Sequence, residues 1–158
     1  MKTPLRRLAL GTQSILLAWG ITLGLAQSPP TAAEKLADLR ERAAKGDNFA
    51  LVDLGMAYVR GDGVPQDPAE AVKWFHKAAD QGYALGESNL GAMYAKGEGL
   101  PKDPVEAVRW YRKAADQGWA AAESNLGTMY ENGEGVPKDP AQAMKWYRKA
   151  ADSSSLSS

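Results

Sequence analysis

The stretch LGAMYAKGEGLPKDPVEAVRWYRKAAD, residues 90–116, is written twice more in this chain. LGMAYVRGDGVPQDPAEAVKWFHKAAD begins at Leu54 and LGTMYENGEGVPKDPAQAMKWYRKAAD at Leu126, an offset of 36 residues each time with no gap. A fixed period of this length marks a repeat array, whose units bury their apolar faces against their neighbours. It also decides how the glycines are read. Gly61-Asp62-Gly63, Gly97-Glu98-Gly99 and Gly133-Glu134-Gly135 each precede a helix-like run. Alone, one such element suggests a phosphate-cradling loop, but that loop follows a strand and enters its helix through Lys-Ser/Thr. Here no β-branched strand precedes the glycines, Gln66 replaces the lysine in the first copy, and Asp-Pro replaces Ser/Thr. The glycines instead supply left-handed backbone where one helix ends and the chain turns toward the next. Val64, Leu100 and Val136 then tuck under the turn.

A helix start follows each turn. Asp67, Asp103 and Asp139 are N-caps, and Pro68, Pro104 and Pro140 fill the first helical position, where a missing N–H costs nothing. Glu70, Glu106 and Gln142 stand three residues after the cap and predict a capping box. Lys77, Arg112 with Lys113, and Arg148 with Lys149 gather at the far ends, which suits the helix dipole. Ala107, Trp110, Tyr111, Ala114 and Ala115 fall on one helical face, as do their counterparts in the other copies. The preceding helix of each unit carries a mid-helix glycine, Gly55, Gly91 or Gly127. Each costs about 1 kcal/mol relative to alanine, so its recurrence predicts a close helix crossing.

The pattern A-x-x-x-L-G-x-x-Y-x-x-G-x-G-V/L-P-x-D-x-x-x-A-x-x-W-Y/F-x-x-A-A resembles the Sel1-like repeats, relatives of the tetratricopeptide repeat, over about Asp47 to Asp152. The resemblance implies an all-α fold: a right-handed α/α solenoid (superhelix) of helix-turn-helix repeats whose first helices line a concave groove. It also implies a non-enzymatic adaptor or scaffold that binds a protein or peptide. Units are expected at 47–82, 83–118 and 119–152. Residues 27–46 are expected as a linker and N-terminal capping helix, with Leu36, Leu39 and Ala43 on one stripe and Asp38 at the place of the tryptophan. After Asp152 comes SSSLSS, with Ser154 where Gly82 and Gly118 stand. Residues 153–158 are expected as a disordered tail, leaving an uncapped last repeat through which the chain could self-associate.

The N-terminus reads as an export leader. Lys2, Arg6 and Arg7 precede the apolar run 8–26, and Gly24 and Ala26 stand at −3 and −1 of a cut before Gln27. The run spans 19 residues, so retention as an inner-membrane anchor is the alternative. An exported protein, periplasmic or secreted from a bacterium, is expected. Lys+Arg and Asp+Glu both number 19, and setting aside the three leading basic residues leaves 16 against 19. No basic patch offers itself to nucleic acid. With no cysteine, disulfide frameworks and thiolate zinc sites are excluded.

Catalytic constellations are weak. His76, the single histidine, shares its register with Arg112 and Arg148 and is expected on a solvated surface. Glu87 and Glu123 recur because the repeat recurs, and are expected on a solvated or groove-edge face. No Ser-x-x-Lys motif occurs, and the glycine loops lack the ligand alternation of a calcium loop. No catalytic, cofactor or metal residues are assigned. By analogy with related superhelices, the groove-facing positions are Phe49, Val52 and Met56; Leu85, Ser88 and Ala92; and Ala121, Ser124 and Thr128. Tyr83 and Trp119 add aromatic anchors, unless they pack on neighbouring repeats. The expected function is an envelope binding module. The rivals are a membrane-anchored regulator recruiting an envelope enzyme and a cell-wall hydrolase.

Overall fold

The computed structural model describes residues 31–155. Among them are seven helices and no strand: α1 Ala32–Ala44, α2 Asn48–Arg60, α3 Pro68–Asp80, α4 Ala84–Lys96, α5 Pro104–Asp116, α6 Ala120–Asn132 and α7 Pro140–Ser155. Each packs on its neighbours in the chain, and α2 also touches α4. The result is an all-α repeat solenoid. α2–α3, α4–α5 and α6–α7 form three units, which α1 precedes. The leader expected over residues 1–26 lies outside the described residues, as do residues 27–30 and 156–158. No described helix is long and apolar enough to cross a membrane.

The helix ends follow the sequence with one correction. Asp67, Asp103 and Asp139 accept backbone N–H bonds from Glu70, Glu106 and Gln142 at 3.0–3.1 Å. The return half of the box does not form at these caps. Their own N–H groups already donate to the Tyr58, Tyr94 and Tyr130 carbonyls, closing each loop. Glu70 and Glu106 turn outward to Lys73 and Arg109. The complete box belongs to α1, where the Thr31 hydroxyl accepts from Glu34 N–H and Glu34 accepts from Thr31 N–H. α4 ends on Gly97 at φ 74°, whose N–H reaches the Met93 carbonyl at 2.8 Å. Two residues on, Gly99 lies against the Pro68 carbonyl and the Ala69 N–H of the preceding unit, where a side chain would collide. The same contact joins Gly135 to Pro104 and Val105.

The crossing glycines behave as the repeat predicts. A Cβ on Gly55 would come within 2.5 Å of the Phe75 ring, and one on Gly91 within 2.8 Å of Tyr111. Ala71, Ala78, Ala107 and Ala114 have no exposed surface, so the helices meet with aromatics set among small residues. Between units, a Cβ on Gly86 would lie 2.5 Å from Ala78 Cβ.

The C-terminus departs from expectation. Ser153 to Ser155, expected as tail, continue α7 as helix. Ser154 stands in the register of Gly82 and Gly118, which take left-handed angles, φ 72° and 80°, just after α3 and α5. The Ser154 and Ser155 hydroxyls donate to the Ala151 and Asp152 carbonyls instead.

Candidate partner-binding surface

The expected groove positions separate into three places. Val52 and Ser88 are 2% and 7% exposed, so neither is open to a partner in this structure. Val52 belongs to the apolar cluster that also contains Leu90 and Met93 of α4, so the following unit covers it. Ser88 holds the same register in α4. Ser124, one unit later, is exposed. The position is therefore a stacking surface within the array.

Phe49, 64% exposed, meets Tyr83 edge to face with ring centroids 5.4 Å apart. Tyr83 is half-buried against the core, as packing on a neighbouring repeat requires. Burial pushes its phenol up, helped by the nearby Asp53 and Asp47 carboxylates. Leu85 and Ala92 are half-buried, and Ala121 and Thr128 are exposed. The Thr128 hydroxyl lies 3.3 Å from the Tyr147 hydroxyl. Trp119 and Ala121 border a small cleft of about 230 Å3 beside Ser153 and Ser154.

Met56 lies in a cleft of about 450 Å3 between α1 and α2. Leu36, Leu39, Met56 and Ala57 give it apolar walls, and Lys35, Arg60, Asp53 and Asp62 place both signs of charge around them. The end of α1 is fastened to the start of α2 by Arg42, whose guanidinium donates to Asp47 at 2.7 and 2.9 Å. That contact holds the Asp47 carboxyl below its ordinary range, and two backbone N–H bonds at the N-cap of α2 assist.

Three features escaped the sequence reading. His76 is half-buried, not solvated: the rings of Trp110 and Tyr94 in the next unit stand edge-on to it, at 5.7 and 6.5 Å. At the same register, the Arg112 guanidinium donates to the Tyr130 hydroxyl at 2.8 Å. This position joins units, which is why it is not free. Glu87 and Glu123 are likewise 4% and 0% exposed, not on a solvated face. Burial pushes the Glu87 carboxyl up, while Lys113 and a 2.7 Å bond from the Gln117 amide oppose the shift. Glu123 has Lys149 Nζ 3.2 Å from Oε1 but no aligned hydrogen bond on either oxygen. Finally, Lys77, Lys113 and Lys149 each lie over the tryptophan three residues earlier, at 4.0, 3.9 and 5.0 Å from the ring. The 36-residue register, read down this column as Leu51, Glu87 and Glu123, was the signal available for the buried acids. Among the described residues, no three His, Asp or Glu side chains gather as a metal site.

Comparison with known proteins accounts for the repeat. A family model described as the Sel1 repeat matches residues 49–83, 84–119 and 120–155. The chain belongs to the Sel1 repeat family. Its repeats are protein-interaction modules in a fold that is generally non-catalytic. No curated protein matches this Sel1 chain in sequence. Among solved structures it is similar to c5321, a protective antigen of uropathogenic Escherichia coli strains displaying an SLR fold. Identity is 40% and the TM-score 0.75, over 77% of this chain and 26% of that one. A Sel1 repeat protein from Oxalobacter formigenes is 41% identical with a TM-score of 0.70, over 75% of this chain and 49% of that one. The chain thus spans less than half the length of either. Helicobacter pylori cysteine rich protein B shares the fold at 23% identity, TM-score 0.58, over 77% and 96% of the two chains.

Proposed function

We propose that this Sel1 chain is a non-catalytic adaptor of the bacterial cell envelope that docks a segment of a partner protein, with the Met56 cleft as its principal apolar seat. The observation that carries this reading is the cleft itself. It has apolar walls, charges of both signs at its edge, and room for one or two anchoring side chains. The Phe49–Tyr83 pair offers a second, aromatic contact on the neighbouring helix starts. Export rests on the leader layout of residues 1–26, and a mature N-terminus at Gln27, read by mass, tests it against a retained anchor.

A photocrosslinking residue at Met56, compared with one at exposed Arg109 on α5, tests the docking surface in cells. A partner captured from position 56 and not from 109 supports the reading. Equal capture from both positions removes the cleft from the function.

A further inference from the structure

The three units treat one buried place differently. In unit 2 a carboxylate occupies it: Glu87, bonded by the Gln117 amide at 2.7 Å and attracted by Lys113, which lies over Trp110. In unit 3 Glu123 occupies it, with Lys149 at 3.2 Å and Ser153 in the register of the glutamine. In unit 1 the same donors are present as Lys77 and Gln81, but Leu51 stands in the register of the acid. Beside them is a cleft of about 460 Å3, bordered by Ala43, Gly46, Leu51, Trp74, Lys77 and Gln81. The Gln81 amide lies near the position a Cβ on Gly46 would take, at 3.7 Å.

Two further facts bear on this cleft. The Trp74 indole N–H is buried and has no acceptor among the described residues. Lys77 makes no ion pair among the described residues, and its contact is the Trp74 ring at 4.0 Å. Asp80 also borders the cleft. Its counterpart Asp116 stands at the same register of unit 2, where a carboxylate is held all the same.

We infer that the cleft beside Trp74 binds a carboxylate on a short apolar stem, with Lys77 and Gln81 holding it as Lys113 and Gln117 hold Glu87. Ala43, Leu51 and the indole receive the stem, and the ammonium and amide receive the charge. The carboxylate comes from an acidic side chain or from a chain terminus. This inference is independent of the Met56 cleft, which lies toward the other end of α1.

Nitrogen–proton NMR of the full chain tests it, reading the indole resonance of Trp74 assigned through Trp74→Phe. N-acetylglutamate α-amide presents a side-chain carboxylate, N-acetylleucine a terminal one, and N-acetylglutamine α-amide is the neutral control. Saturable movement of the Trp74 signal with either carboxylate, and none with the control, is expected. Whichever of the two acts names the source. Lys77→Met replaces an exposed side chain and is expected to weaken binding by about tenfold. Leu51→Glu supplies the internal acid seen in units 2 and 3 and is expected to silence the response. Equal movement with the neutral amide, no movement with either acid, or undiminished binding in Lys77→Met overturns the inference.

Discussion

α5 and α7 are nearly the same helix written twice, PVEAVRWYRKAAD against PAQAMKWYRKAAD, yet they live in different surroundings. α5 lies between α4 and α6 and buries Val108, Tyr111, Ala114 and Ala115. α7 buries Ala143 alone, leaves Met144 52% exposed, and has Ala151 at the surface. Sequence determines which face of each helix is apolar. Position in the stack determines whether that face is core or surface.

The largest break in this comparison is a charge placed at equivalent positions. Ala115→Arg forces an unpaired cation into a site with no free surface and is expected to cost about 4 kcal/mol. Urea denaturation midpoints measure it, beside the exposed partner substitution described last. Next in size is an alkaline effect that is largest on the inner helix. Burial pushes the Tyr111 phenol up to about 12, above its ordinary 10. The fold therefore favours the neutral phenol, so this contribution is complete below pH 10 and is lost as pH rises toward 12. It amounts to about 3 kcal/mol. Ultraviolet titration should show one tyrosine ionising after the others, and Tyr111→Phe should abolish that late step.

Smaller effects sharpen the contrast. Gly91→Ala drives a methyl group to within 2.8 Å of the buried Tyr111 ring and is expected to destabilise by about 2 kcal/mol. Gly127→Ala meets half-buried Tyr147, which can swing toward solvent, so about 1 kcal/mol or less is expected. Equal losses would show the outer joint to be as rigid as the inner one. Glu87→Gln addresses the buried acid. A carboxyl raised by burial stabilises the fold while protonated, and that stability declines as pH climbs from its ordinary 4.5 through the raised value. The glutamine variant should flatten this slope in thermal melts across acid to neutral pH. Smallest of all, Ala151→Arg should change stability by no more than about 0.5 kcal/mol. A loss matching that of Ala115→Arg would mean that α7 is covered in solution, as self-association through this end requires.

The sequence revealed what is local. Asp67, Pro68 and Gly61 specify helix ends through their own backbone preferences, and Gly55 faces an aromatic within the same unit, so each was legible without neighbours. Features made between units were harder to see. Ser88 and Ser124 read alike, yet one is buried and the other open, because exposure depends on what stacks next. Glu87 looked like surface because a charged side chain usually is. Its partner Gln117 lies 30 residues away, outside any helical periodicity. His76 misled for the same reason, since its contacts are rings of the following unit. The capping box failed at Glu70 and Glu106 through competition that only the closed loop reveals, a tyrosine carbonyl already holding the cap N–H.

The seating of Gly99 on the Pro68 carbonyl, repeated by Gly135 on Pro104, carries a last consequence. Each loop rests on the helix start of the unit before it, so an added or missing loop residue would put a side chain against that carbonyl and shift every later joint out of step. Single-residue insertions and deletions are thereby filtered out, whereas a copied block of 36 residues re-creates every contact it needs. The contour length of such a molecule is quantised, and its natural currency of change is duplication or loss of a whole block.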